Sequence, residues 1–347
     1  MTLPSSQTLP VHQLAGCFKN TSAAYKFYWF LAILGRVERG DSSISKIQLF
    51  ADMVAESWYT INYFQVSFGK QDRLQQASAQ IRRLEGLTID APKHEISAQL
   101  YRSLNPSTRS ALWYFNTEVP HRFLSPWIHA ADRRQAYALS QQYDQDCPYA
   151  LDEEHIHINP KWLGYLSQHT GILKAFCYWH LSGYLQLRNP SVPDLTGKLI
   201  KTPVRKALSA QRKYFWDTVI AELGSVACIY TNSPLRIGTY AVEHFLPYAF
   251  VSHDLIWNLI PADPAFNSIK SDKLPLLDKY FQPYFNLQQS AVEIIRAKNP
   301  GNRFLQDYLS ILPGLEPADF NAPRMLEQIR PLITIASNNG FHFMAEQ

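Results

Sequence analysis

Five residues within one short stretch carry side chains that could act together on a phosphate ester: Glu243 with His244, then Asn258, then Asn267 with Lys270. Their spacings are 258 − 244 = 14, 267 − 258 = 9 and 270 − 267 = 3. Hydrolysing a phosphodiester needs a base that deprotonates water and a divalent cation that stabilises charge growing on phosphorus and on the leaving oxygen. An imidazole titrates near neutral pH, which suits His244 to the first task. Glu243 and Asn267 are hard oxygen donors of the kind Mg²⁺ or Mn²⁺ prefers, and two protein ligands leave coordination positions open for water and phosphate. Asn258 reads as a loop-fixing residue, because short amides bond readily to nearby backbone. Taken singly, these residues read as a strand-edge charge, a satisfied histidine and turn amides. Only their joint spacing points to chemistry.

An acid beside His, an Asn followed by Leu, and an Asn with Lys three residues on occur in order within Val242 to Tyr248, His253 to Leu259 and Asn267 to Lys270. This pattern resembles the HNH endonuclease family of the ββα-metal nucleases, over about residues 225 to 275. The resemblance implies two strands and a helix closing on a metal, with His244 as base, Glu243 and Asn267 as metal ligands and Asn258 completing the catalytic set. It implies Mg²⁺ or Mn²⁺ as cofactor and double-stranded DNA as partner, cut to 5′-phosphate and 3′-hydroxyl ends, with one site nicking one strand as a monomer. A place in bacterial restriction or anti-phage defence, beside other proteins of such a system, rests on family analogy alone. Many members hold the module with a zinc bound by two Cys-x-x-Cys pairs. Here Cys228 stands where a pair would begin, Thr231 takes the second position and no cysteine lies near Asn267, so no structural zinc is expected. The same fold could serve as a catalytically silent nucleic-acid-binding or assembly subunit, but competent residues fill every expected catalytic position. An RNase or nuclease toxin is a further alternative, since nothing in the motif interrogates a 2′-hydroxyl.

Several elements must position this set. Ser225 to Tyr230 and Ile237 to Leu246 read as two strands of a hairpin around the turn Thr231 to Pro234, and a helix starts near Ala265 after a proline-rich corner. Neighbours on a regular strand point to opposite faces, so Glu243 and His244 share a site only if the chain bends there, and Pro247 supplies a reason for a bend. Lys270 is the first candidate for a phosphate contact, followed by Lys273, Arg236 and His253. Upstream, Arg188 to Lys213 holds seven basic residues and one acid. Arg205, Lys206, Arg212 and Lys213 in that run, on a helix expected from about Pro203 to Leu223, are further candidates for phosphate neutralisation.

The rest of the chain supplies scaffold. Its 347 residues exceed one ordinary core, and 46% hydrophobic with 18% charged residues marks a globular protein rather than a disordered one. The expected class is α+β, mostly α-helical: a helical domain over 1–188, a basic linker and helix over 189–224, the nuclease module over 225–282 and C-terminal helices over 283–347. Helices are expected over Thr21 to Val37, from Ser42 to near Phe64, Asp72 to Leu84, His94 to Leu104, Thr108 to Phe115, Ala131 to Tyr143, Pro160 to Leu187, Phe285 to Ala297, Gly301 to Leu312 and Ala322 to Ala336. Aromatic doublets in the first half fit core filling better than base stacking. Asp144 to His157 is rich in metal-ligand types, but its spacing fits no ligand template, and it reads as a solvated acidic loop. Four scattered cysteines and a net charge of +4 argue against a disulfide-stapled secreted domain and leave the partner open. The longest apolar stretch, Phe27 to Leu34, is too short to span a membrane, and the N-terminus lacks the pattern of a signal peptide, so a cytoplasmic protein without a membrane partner is expected.

Overall fold

The computed structural model describes residues 2–19, 21–200, 207–312 and 320–345. The chain divides into two compact units, Met1–Pro190 with Leu195–Pro203, and Ser191–Asp194 with Val204–Gln347. The fold is α+β and mostly helical.

The first unit runs α1 (Val11–Gly16), α2 (Tyr25–Val37), β1 (Ser43–Ser45), α3 (Lys46–Trp58), α4 (Arg73–Glu85), α5 (Lys93–Arg102), α6 (Pro106–Trp113), α7 (Pro120–Phe123) and α8 (Arg133–Ser140). It continues through β2 (Tyr149–Leu151), β3 (His155–Ile158), α9 (Pro160–Gln168), α10 (Thr170–Gln186) and α11 (Leu195–Ile200). Helix α2 is apolar all round from Phe27 to Leu34 and is buried along that stretch, which makes it the core of the unit. Asp72 caps α4 by accepting from Leu74 N, and Gly86 ends it in the left-handed region at φ 63°. Phe27, Trp29, Phe50, Trp58 and Phe115 are fully buried, whereas Trp179 is 65% exposed.

Three expectations for this unit are corrected. Asp144 to His157 is not simply a loop: β2 and β3 join β1 in an antiparallel sheet of order β1-β3-β2. The alternation His155-Ile156-His157-Ile158 is a strand pattern of period two, which the surrounding acids conceal. Pairing of Ser43 to Ser45 with β3 also delays the second helix until Lys46, and that helix continues as a π-helical turn over Tyr59–Tyr63. The long helix expected over Pro160 to Leu187 breaks at His169 into α9 and α10.

The second unit begins with α12 (Ser209–Gln211) and α13 (Asp217–Leu223), joined by a π-helical turn over Arg212–Trp216. Then follow β4 (Val226–Ala227), β5 (Pro234–Leu235), β6 (Ala241–His244), α14 (Tyr248–Val251), β7 (Leu259–Ala262), α15 (Pro264–Lys270), α16 (Leu277–Lys298), a 3₁₀ helix over Arg303–Ser310 and α17 (Ala322–Asn338). The single long hairpin expected across residues 225–246 is two separate pairings. β4 pairs only with the short β5, while β6 pairs antiparallel with β7, Glu243 opposite Ile260 and His244 opposite Leu259. The division has a local cause. Gly238 takes φ +88°, Thr239 N donates to Arg236 O, and Arg236 N donates to Thr239 Oγ1, so this tight turn interrupts the apolar run before Ala241.

Helix α16 grips the stretch between β6 and β7. Tyr284 stacks on Phe245 with ring centroids 4.0 Å apart. Gln288, fully buried, donates to the carbonyls of Ile256, Trp257 and Leu259 at 3.3, 3.1 and 2.8 Å. Asp307 accepts from Ile256 N at 2.9 Å, and Ser310 accepts from Trp257 Nε1 at 3.0 Å. Polar groups that the loop could not satisfy by itself are thus met from the C-terminal helices.

Candidate functional site

The site is built on β6, the loop behind it, β7 and α15. Asp263 caps α15 by accepting from Ala265 N at 2.9 Å and Phe266 N at 3.1 Å, and Pro264 occupies the first helical turn, where it gives up no hydrogen bond. Asp263 N in turn donates to Cys228 Sγ at 3.4 Å, so the buried thiol ties the start of α15 to the residue after β4.

Asn258 is completely buried. Its Oδ1 accepts from Leu246 N at 2.8 Å and its Nδ2 donates to Leu246 O at 2.9 Å. One amide therefore satisfies both backbone groups of Leu246, the second residue beyond the end of β6. Phe245 N donates to Asn258 O at 2.7 Å, completing a clamp that fixes how the chain leaves the strand.

Glu243 and His244 leave β6 toward different neighbours. Glu243 Oε1 accepts from Lys270 Nζ at 2.7 Å, with both side chains buried. The same ammonium donates to the His244 carbonyl at 2.8 Å. Lys270, expected at a phosphate, is thereby corrected: it is 1% exposed and locked between the strand and α15. Its helical position explains this, because residues 267 and 270 lie one turn apart on one face, and that face meets β6. Asn267, on that face, is partly exposed and makes no side-chain hydrogen bond among the described residues.

The His244 ring turns toward the loop. Its Nε2 lies 3.0 Å from Asp254 Oδ1, and Tyr248 packs edge-on with centroids 5.4 Å apart. A carboxylate oxygen only accepts, so Nε2 is the donor in this pair, and in the neutral ring that makes Nδ1 the acceptor. Nδ1 forms no hydrogen bond among the described residues. The bend expected at Pro247 comes after the pairing of β6 is complete, and it starts α14. It therefore does not bring Glu243 and His244 to one face of β6, as the expected bend would have done.

Two residues at the site were not singled out from sequence. Asp254 gave no signal beyond its place beside His253. Tyr230 is buried with its hydroxyl unpartnered among the described residues, stacked on Phe266 at 4.8 Å. Burial and the nearby Glu243 charge push its phenol well above the ordinary range, so it stays protonated.

The remaining expected contacts are dispersed. Arg236 and Lys273 are exposed, with Lys273 Nζ donating to Ile269 O at 3.2 Å. Arg212 lies over the Tyr240 ring and Lys213 over the Tyr214 ring, and His253 packs on Trp257. Arg205 and Lys206 lie outside the described residues. No group of three or more His, Cys, Asp or Glu arranged to hold a metal occurs among the described residues, a pattern that a Glu and Asn pair does not form. No helix among them is long and apolar enough to cross a membrane.

The family model of the HNH endonucleases matches residues 228–276, the segment that contains β5, β6, β7 and α15. No curated protein and no solved structure matches the chain.

Proposed function

We propose that this chain, whose residues 228–276 belong to the HNH endonuclease family, is a divalent-metal-dependent endonuclease that hydrolyses phosphodiester bonds of double-stranded DNA. The observation that carries the reading is the placement of His244: Nε2 lies 3.0 Å from Asp254 Oδ1, and Nδ1 has no hydrogen-bond partner among the described residues. In the neutral ring this arrangement makes Nδ1 the acceptor that a general base needs.

The donor set fits a hard cation. A buried carboxylate, Glu243, already holds a positive charge in the form of the Lys270 ammonium, and Asn267 adds an uncommitted amide oxygen on the adjoining helix face. Glu243 and Asn267 are the residues that would hold Mg²⁺ or Mn²⁺, which when bound stabilises negative charge on the phosphate and on the leaving oxygen. His244 Nδ1 accepts the proton of the attacking water, and the imidazolium so formed is stabilised by Asp254 across the ring. Asn258 acts at a distance from the reacting atoms, by holding Leu246 and so the end of β6. Tyr230 keeps a phenolic proton near Glu243. A single site of this kind breaks one strand, leaving a 5′-phosphate and a 3′-hydroxyl. Service in restriction or anti-phage defence follows from family analogy.

The test is a supercoiled plasmid incubated with Mg²⁺ or Mn²⁺, wild type against His244→Ala. Nicked circles from the wild type and at least about 100-fold fewer from the variant are expected, since a positioned general base contributes roughly 10² to 10⁴ in rate. A wild type that binds plasmid but leaves it intact would favour a silent binding subunit. Preferential cleavage of a matched RNA duplex would move the substrate to RNA.

A further inference from the structure

A cavity among the described residues lies remote in sequence from this site. It is a cleft of ≈ 690 Å³ in the first unit, where one face each of α2, α3 and α5 meet. Its size falls in the range of small-molecule sites. The three helices present small residues where a core would put large ones: Ala32 and Gly35 on α2, Ala55 on α3 and Ala98 on α5. Glycine inside a helix is costly, and a Cβ built on Gly35 meets nothing within 4 Å, so no neighbour in the protein requires its bareness.

The polar lining is asymmetric. Arg36, Arg39, Lys93 and Arg102 face Asp52 and Glu56, an excess of 4 − 2 = +2. Both carboxylates are already engaged. Asp52 takes Arg36 Nε at 2.6 Å and the Ser97 hydroxyl, and Glu56 takes Lys93 Nζ at 2.8 Å. The side chains of Arg39 and Arg102 make no hydrogen bond or ion pair among the described residues. Two unengaged guanidinium groups at the rim suit the planar, bidentate recognition of phosphate oxygens. Tyr101, 43% exposed, lines the same cleft and supplies an aromatic ring on which a base could stack.

We propose that the cleft between α2, α3 and α5 binds a nucleotide, with phosphates on Arg39 and Arg102 and the base against Tyr101 over the floor left open by Gly35. The first unit then carries a ligand site of its own, separate from any role in DNA cleavage.

Calorimetric titration of the full chain with ATP in EDTA reads binding without cleavage, so its outcome is independent of the nuclease reading. Binding is expected at or below about 1 mM, with pyrophosphate and adenosine each weaker than ATP. Arg39→Ala with Arg102→Ala, both exposed, should weaken binding by roughly tenfold or more per guanidinium. Gly35→Met should abolish binding while leaving the melting temperature equal or higher. Absence of heat with wild type, pyrophosphate binding as tightly as ATP, or ATP affinity unchanged in the double arginine variant would each overturn the proposal. The arginine variant decides the matter even if Gly35→Met folds poorly.

Discussion

Replacing Lys270 by methionine tests the geometry of the nuclease module most directly. The ammonium is 1% exposed and Glu243 5% exposed, at 2.7 Å. Methionine keeps most of the volume, so little packing is lost, but the carboxylate is left buried and uncompensated. Removing one partner of a buried ion pair costs about 3–5 kcal/mol. At about 1.4 kcal/mol per tenfold, amides of β6 and β7 that exchange through opening of this region should exchange roughly two to three and a half decades faster. Hydrogen–deuterium exchange with mass spectrometry reads this in Lys270→Met beside wild type. A divalent cation should reverse the loss: Mn²⁺ should raise the melting temperature of the variant more than that of wild type, because no ammonium competes for Glu243. Pairing Glu243→Gln with Lys270→Met should cost less than the sum of the single changes. Unchanged exchange in Lys270→Met would refute the buried pair. Equal Mn²⁺ stabilisation of the two proteins would refute competition at Glu243.

Two further predictions concern charge. Asp254→Asn preserves shape but weakens the acceptor on His244 Nε2; steady-state cleavage should show kcat lower by roughly 10- to 100-fold with KM for DNA and Mn²⁺ affinity unchanged. A raised KM with kcat retained would instead make Asp254 a binding residue. In the first unit, burial followed by Arg122 and Arg133 lowers His121 to about 4 from 6.5, whereas burial raises Asp72 to about 6 from 3.8. As pH falls from 6.5 to 4 the unfolded chain takes up the His121 proton first, which destabilises the fold; from 6 to 3.8 the folded chain takes up the Asp72 proton first, which stabilises it. The two effects oppose each other over nearly one window. Urea midpoints between pH 7 and 4 should therefore rise on acidification relative to wild type in His121→Gln and fall more steeply in Asp72→Asn, and parallel profiles in all three proteins would contradict both assignments.

Much of the second unit is legible in residue order. The site's residue types, their spacing and the start of α15 at Asp263-Pro264 are local features, written in consecutive residues and in offsets along the chain. A short amide between two apolar runs suggests backbone bonding, and Asn258 makes two such bonds to Leu246. Strand partners were less legible. An apolar run at 225–230 and another at 237–246 suggest pairing with each other, yet β6 takes β7, because the turn at Arg236–Thr239 spends the first part of the second run. In the first unit, the strand alternation at His155–Ile158 was masked by the acids around it.

By itself the sequence determined which chemical groups are available and how far apart they stand along the chain: a base, two oxygen donors, a loop-fixing amide, and a basic run before them. Only tertiary structure decided which of these groups meet. Lys270 is a surface phosphate binder by type and a buried partner of Glu243 by position, because the end of α15 packs onto β6. Asp254 becomes the partner of His244 only once the loop folds back on the strand, ten residues later in the chain and 3.0 Å away in space. Spacing along a chain is encoded locally, whereas the direction in which a side chain points depends on pairing and packing between distant segments, and that is what brings Asp254 to the His244 ring.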